Sequence, residues 1–277
     1  MSRATLTAPV QAVLPAAGRG TRMGPLTARR PKPLVPVRGR PLLAHALDAV
    51  RPVVRGGASG TPRASDDAVS GAVVVVGYHG DRVRDRFGDS YRGLPLTYVE
   101  QPEQRGLADA LARAEPAVGG PFVHLNADNV FGPDPGGAAN VRRLVARRRE
   151  TDADAVLLVE RVPAETARRV GVVRTDDDGR VVDVVEKPDA LPPEADGARS
   201  TGGSGRLVQT GCFAFSPAVL DACRAVGRAD TGERELADAV SRLAREGRVE
   251  TVRLRGWRRN VNTPRDRATV EARLLGG

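Results

Sequence analysis

An apolar run opens the chain at Val10, where Val10, Ala12, Val13 and Leu14 have the length and composition of a short buried strand, Val10–Pro15. Similar runs return at Ala72–Val76, Leu96–Glu100, Phe122–Asn126, Ala155–Glu160, Val208–Phe215 and Val249–Leu254. In the intervals apolar positions recur at helical spacing, predicting helices over Pro41–Val53, Asp81–Phe87, Leu107–Ala114, Gly137–Arg149 and Glu233–Glu246, with two more ending at Arg224 and Leu275. Those two carry start signals. Ser216-Pro217 and Thr263-Pro264 each pair a capping hydroxyl with a first-turn proline, and Asp266 completes a capping box behind Thr263. Val170–Arg174 and Val181–Glu186 read as a hairpin turned by Asp176, Asp177, Asp178 and Gly179. Strands alternating with helices argue for an α/β fold in three layers, a mostly parallel twisted sheet with helices on both faces. One domain, 1–277, is expected, with a flexible polar insertion at 55–71 and a Pro-, Gly- and Ser-rich flap at 189–205.

Charge adds a second layer. The formal net charge is +9, and of 43 Lys plus Arg residues only Lys32 and Lys187 are Lys, each directly before a proline. In so Arg-biased a chain, Lys is expected where a compact ammonium does what a planar guanidinium cannot, such as meeting a phosphate oxygen as a point charge. The basic excess also invites a nucleic-acid reading, centred on Arg142, Arg143, Arg147, Arg148 and Arg149. That segment fits a solvated helix face opposite Val141, Leu144 and Val145, without interleaved aromatics to stack bases, so no specific nucleic-acid partner is expected. No apolar run approaches the ~20 residues of a membrane helix, and the first nine residues lack a signal-peptide core. Cys212 and Cys223 make no disulfide framework, which implies a cytoplasmic protein with inert thiols. His45, His79 and His124 fall in no triad-like arrangement.

The candidate chemistry begins directly after the first strand. Ala16, Ala17, Gly18, Arg19, Gly20 and Thr21 are small enough for backbone N–H groups to wrap phosphate oxygens, and Arg22 adds a fork of donors. A dinucleotide fingerprint would want glycine where Met23 stands, and a Walker A loop would want Lys directly after its last glycine; neither pattern fits.

What the chain resembles is the sugar-1-phosphate nucleotidyltransferase family. The resemblance rests on Gly18-Arg19-Gly20-Thr21-Arg22 followed by Pro31-Lys32, then GYHGDRV from Gly77, EQPEQRGLADAL from Glu100, NADN from Asn126, EKP from Glu186 and GWRRNVNTP from Gly256, in the family's order. It runs along most of the chain and is nearest to the short glucose-1-phosphate uridylyl- or thymidylyltransferases. It implies a Rossmann-like, GT-A-like fold and transfer of a nucleotidyl group from UTP or dTTP to a sugar 1-phosphate, glucose 1-phosphate first, with release of pyrophosphate. By the same resemblance, Ala16, Ala17, Gly18, Gly20, Thr21 and Arg22 bind the nucleotide, with Gln101 and Gly106 reading its pyrimidine base. Gly171, Glu186, Lys187, Thr210 and Gly211, with Gln209, meet the sugar phosphate. The catalytic set is Arg22, Lys32, Asp128 and Lys187.

No protein nucleophile is needed, because the sugar phosphate oxygen attacks the α-phosphorus; the protein must align two polyanions and neutralise developing charge. The resemblance implies Mg²⁺, with Asp128 as first ligand. The family's second ligand is often an aspartate in the segment after a tryptophan, a place taken here by Asn260 after Trp257; acetylglucosamine-type relatives use an asparagine whose counterpart is Asn262. An amide oxygen can bind Mg²⁺ without contributing charge, so both asparagines are candidates. A non-catalytic nucleotide-binding homologue and an N-acetylglucosamine-1-phosphate uridylyltransferase are the alternatives. The oligomeric state stays open, a homo-oligomer included.

Overall fold

The computed structural model describes residues 10–51, 69–192, 205–229 and 232–276. It divides into two compact units interleaved along the chain: the first comprises Met1–Gln104, Arg113–Arg142 and Arg255–Gly277, the second Arg105–Ala112 and Arg143–Leu254. Most of the expected 55–71 insertion and 189–205 flap lies outside the described residues.

In the first unit, Val10–Pro15 pairs in parallel with Phe122–Leu125 on one side and Val69–Val76 on the other, and Val69–Val76 pairs in parallel with Leu94–Glu100. Ser90–Tyr91 adds a short antiparallel turn onto Leu94–Pro95. Parallel strands covered on both faces read as unbroken apolar runs, and Ala12, Val13, Leu14 and Val73 through Val76 are all buried. The strand at Val69 starts three residues before the expected Ala72, because Val69 already pairs with Val10 across a bulge. Pro15 stands beside Val75, and Val76 beside Glu100. Ala16, Gly77 and Gln101 therefore leave the sheet together, at the carboxyl edge where α/β folds bind ligands.

Two short antiparallel pairs join this unit, Pro36–Val37 with Arg40–Pro41 and Asn129–Phe131 with Arg258–Asn260. Neither was legible in the sequence. Arg258 and Asn129 are 129 positions apart, so no local pattern announces their pairing. Met23, Val35, Val37, Leu42, Val130, Val261 and Val270 form a buried cluster that packs the loop after the first strand, the Lys32 segment and the C-terminal helix, Pro264–Arg273, on one another.

The second unit is mainly antiparallel. Arg206–Phe215 pairs antiparallel with Ala155–Val162 and with Val172–Thr175, which forms the predicted hairpin with Val181–Val185, whereas Val249–Arg253 runs parallel to its partner, Ala155–Val162. The parallel expectation thus holds in the first unit and is relaxed in the second. Along Arg206–Phe215 the register slips between Gln209 and Phe213, and Gly211 has φ +73°. The helix expected from Glu233 begins at Leu236. Its first turn is diverted: Arg234 N–H donates to the Arg105 carbonyl at 2.8 Å, and Ala108 N–H donates to the Arg234 carbonyl at 3.1 Å. The arginine-rich helix, Gly137–Thr151, buries Val141, Leu144 and Val145 as expected. Two of its arginines are engaged rather than merely solvated, Arg147 with Glu250 at 2.6 Å and Arg143 with the Arg253 carbonyl at 2.7 Å.

Candidate active site

The first unit gathers four other predicted residues, Arg22, Lys32, Asn260 and Asn262, around the Asp128 carboxylate. Asp128 follows the strand Phe122–Leu125, and its backbone carbonyl accepts from Val261 N–H at 2.9 Å. Its Oδ2 accepts from Lys32 Nζ at 2.7 Å, and Asn262 Oδ1 accepts from the same nitrogen at 2.7 Å. Arg22 Nη2 donates to Asn262 Oδ1 at 3.3 Å. Two oxygens from segments far apart in sequence thus converge on one cationic atom.

Asn260 behaves differently from Asn262. Its amide nitrogen donates to Asp128 Oδ1 at 2.9 Å, while its carbonyl oxygen accepts from Arg258 Nη1, which also donates to Asn129 Oδ1 at 3.1 Å. The amide orientation follows from this network, since a guanidinium can only donate. Asn260 accordingly offers Asp128 a donor and fixes one carboxylate oxygen. Asn262 is held from behind by the predicted capping box: Asp266 accepts from the backbone N–H of Asn262 at 3.2 Å and of Thr263 at 3.0 Å, and Thr263 Oγ1 accepts from Asp266 N–H at 3.1 Å. A helix start therefore aims a site residue.

The glycine loop is fitted to Lys32. A Cβ on Gly20 (φ +70°) would lie 2.8 Å from Lys32 Cβ, so only glycine lets the lysine stem cross the loop there. Thr27 Oγ1 donates to the Gly20 carbonyl at 2.9 Å and closes the turn. Ala16 and Ala17 are buried, whereas Gly18, Thr21 and Arg22 are exposed. Gly77, in a motif noted above but not assigned a role, brings two of these segments together: a Cβ there would meet the Gln101 carbonyl at 2.8 Å and Ala17 Cβ at 2.9 Å. Gln101 itself is buried, at the end of its strand. His124, on the strand leading to Asp128, is fully buried with Nε2 2.8 Å from Asn126 Oδ1, and burial pushes its pKa down to about 4. It is a neutral structural residue at ordinary pH.

The second unit holds the other cluster. Gly171 lies against Glu186 and Gln209; a Cβ there would come within 2.9 Å of Glu186 Oε2 and of Gln209 Cγ. Lys187 Nζ pairs with Glu186 Oε1 at 3.3 Å, and Gln209 Oε1 accepts from Gly211 N–H at 2.5 Å. Burial raises the Glu186 carboxyl above its usual range and the charge of Glu235 adds to that, while Lys187 and a hydrogen bond from Gln209 pull it down. Thr210 stands apart from this group: it is buried and its hydroxyl donates to the Leu158 carbonyl at 2.8 Å. Gly106 (φ +97°) lies flat on the Arg234 backbone, where a Cβ would come within 2.4 Å of the carbonyl oxygen.

Among the described residues no group of three or more His, Cys, Asp or Glu could hold a metal ion. The donor set at Asp128 is of another kind, one carboxylate oxygen and one amide oxygen meeting at a cation, and hard divalent cations take oxygen donors of both types. A cavity of about 630 Å³ lined by Arg38, Arg40, His45, Phe131 and Arg142, among others, includes neither Lys32, Asp128 nor Asn262 in its wall.

The fold matches that of a crystal structure of UDP-glucose pyrophosphorylase complexed with UDP-glucose, with a TM-score of 0.78, at 20% identity, over 97% of this chain and 99% of that one. Residues 11–258 match the Nucleotidyl transferase family, and the chain belongs to it. It is 38% identical over 266 residues to UTP–glucose-1-phosphate uridylyltransferase AglF of Haloferax volcanii, covering 96% of both chains. It is 25% identical to the bifunctional protein GlmU of Methanocaldococcus jannaschii, of which it spans 54%.

Proposed function

We propose that this chain is a uridylyltransferase that joins UTP and glucose 1-phosphate into UDP-glucose with release of pyrophosphate. The observation that carries the proposal is the convergence of Lys32, Asp128 and Asn262 beside a glycine loop at the carboxyl edge of a parallel sheet. The choice of UTP and glucose 1-phosphate rests on similarity to AglF, whose whole length the chain nearly matches. The shared architecture with a UDP-glucose pyrophosphorylase supports the same fold-level class.

In this scheme the loop Ala16–Thr21 offers backbone N–H groups to the triphosphate, and Arg22 and Lys32 supply donors to its oxygens. Gln101 reads the uracil edge. Glu186 accepts from sugar hydroxyls, and Gln209 holds the bulge that shapes the same cluster. Lys187 takes the sugar phosphate as a mobile point charge, and Thr210 supports the strand from within the sheet. Aligning the attacking phosphate oxygen with the α-phosphorus is the main work these residues do. Asp128 Oδ2 and Asn262 Oδ1 are the oxygens that would hold Mg²⁺, which when bound neutralises charge on the phosphate oxygens and contributes several kcal/mol to such transfers. Asn260 orients Asp128. A cytoplasmic location is part of the proposal.

Incubation of the purified protein with UTP and glucose 1-phosphate, beside dTTP and N-acetylglucosamine 1-phosphate, while following pyrophosphate, tests it. Release is expected with UTP and glucose 1-phosphate foremost. Saturable UTP binding without release from any pair would overturn the catalytic reading in favour of a binding protein.

A further inference from the structure

Lys32 Nζ is held by Asp128 Oδ2 and Asn262 Oδ1, each at 2.7 Å, and these are the two oxygens that converge as a cation site. At hydrogen-bond distance an ammonium uses the lone pairs and the space that a divalent ion would need, and two cations at that separation repel. The surroundings do not relieve the repulsion. Asn260 gives Asp128 only an amide donor, Arg258 stands behind that amide, and Arg22 donates to Asn262. Asp128 thus bonds directly to Lys32, and each of the two asparagines beside it bonds to an arginine.

We propose that Lys32 is a tethered occupant of the metal site, so that divalent cation binding is coupled to nucleotide binding: the triphosphate draws the ammonium off Asp128 and Asn262, and the cation enters with the nucleotide rather than before it. The proposal rests on the assignment of Asp128 and Asn262 as cation ligands made above. The lysine can act in this way because its stem runs along the glycine loop while its ammonium is held by hydrogen bonds that phosphate oxygens can replace. A Cβ on Gly20 would crowd Lys32 Cβ, Cγ and Cδ, so the stem passes where only glycine leaves room, and the terminal carbon and nitrogen carry the swing between the carboxylate and a phosphate seated in the glycine loop. An arginine in the same place would carry its planar fork into the slot and bridge both oxygens.

Direct Mn²⁺ binding, read from the loss of the free-ion electron paramagnetic resonance signal, tests this without turnover. Without nucleotide, Lys32→Met is expected to bind Mn²⁺ at least tenfold more tightly than wild type, and Lys32→Met/Asp128→Asn is expected to lose the gain. Equal Mn²⁺ affinity in wild type and Lys32→Met, both folded by thermal melting, would overturn the proposal. A wild-type measurement covers the case in which the variant does not fold. With ¹³Cε-labelled lysine the spectrum holds only two lysine signals, from Lys32 and Lys187. Mg²⁺ alone should leave the Lys32 signal in place, and a non-hydrolysable UTP analogue with Mg²⁺ should shift it. A shift of equal size with Mg²⁺ alone would refute nucleotide coupling. Failure of Mn²⁺ to bind any form, nucleotide present or absent, would instead sink the assignment of Asp128 and Asn262 as ligands.

Discussion

Each of the two compact units contains one Lys-Pro pair, and the two lysines are held in opposite ways. Lys32 is 14% exposed and bonded to oxygens 96 and 230 positions away. Lys187 is 55% exposed, sits at φ +42°, and pairs with its own neighbour, Glu186, at 3.3 Å. The first ammonium is placed by tertiary structure and the second by a local turn. Lys32 is therefore held at the Asp128 cluster by oxygens of distant segments, from which the triphosphate would draw it. At the Glu186 cluster the lysine stays free to follow a substrate.

The sharpest way to break this contrast is Asp128→Asn. It removes the carboxylate bonded to Lys32 and should lower kcat on the order of a thousandfold, about 4 kcal/mol of barrier; a kcat within tenfold of wild type would show that the cluster is not the reacting centre. Lys32→Arg should cost at least tenfold, about 1.4 kcal/mol, because a planar fork replaces a point charge in a fitted slot. Wild-type kcat would show that the fit is unimportant.

Stability against pH probes the strand beneath the same cluster. His124 is held near a pKa of about 4 in the folded chain against 6.5 for the free group. The unfolded chain therefore takes up a proton first as pH falls, and stability present above pH 6.5 should be lost progressively toward pH 4. Thermal melts from pH 7 to 5 should show this decline, with His124→Gln flattening it; parallel curves for the two proteins would exclude His124 as its source.

Smaller effects sharpen the comparison further. Thr263→Ala removes the capping hydroxyl behind Asn262 and should cost about 1 kcal/mol in chemical denaturation; no change in midpoint would mean that Asp266 alone holds that turn. Lys187→Arg should alter KM for glucose 1-phosphate by no more than about threefold, in line with the 0–1 kcal/mol of exposed ion pairs. A loss as large as that of Lys32→Arg would erase the distinction between the two lysines.

Much of the first unit was readable because its signals are local. The strand Val10–Pro15 matches its expected bounds, and the capping box at Thr263 and Asp266 is present as predicted. Elements whose backbone bonds lie far along the chain were misjudged. Leu236–Glu246 starts late because Arg234 pairs with Arg105, and Asn129–Phe131 is a strand only because Arg258–Asn260 lies beside it. The antiparallel character of the second unit also depends on pairings that apolar runs do not reveal.

Residue types and spacing were enough to nominate a phosphate loop and two lysines, since each belongs to a short contiguous motif with its own chemistry, and the resemblance in motif order added the aspartate. Folding was needed to separate Asn260 from Asn262. The two are chemically identical and two positions apart, and what differs is the partner each meets: Arg258 turns one amide nitrogen toward Asp128, while Asp266 holds the backbone that carries the other amide's oxygen to Lys32. Hydrogen bonds that reach across the chain decide which atom of a symmetric-looking amide faces the site, and no local pattern encodes that choice.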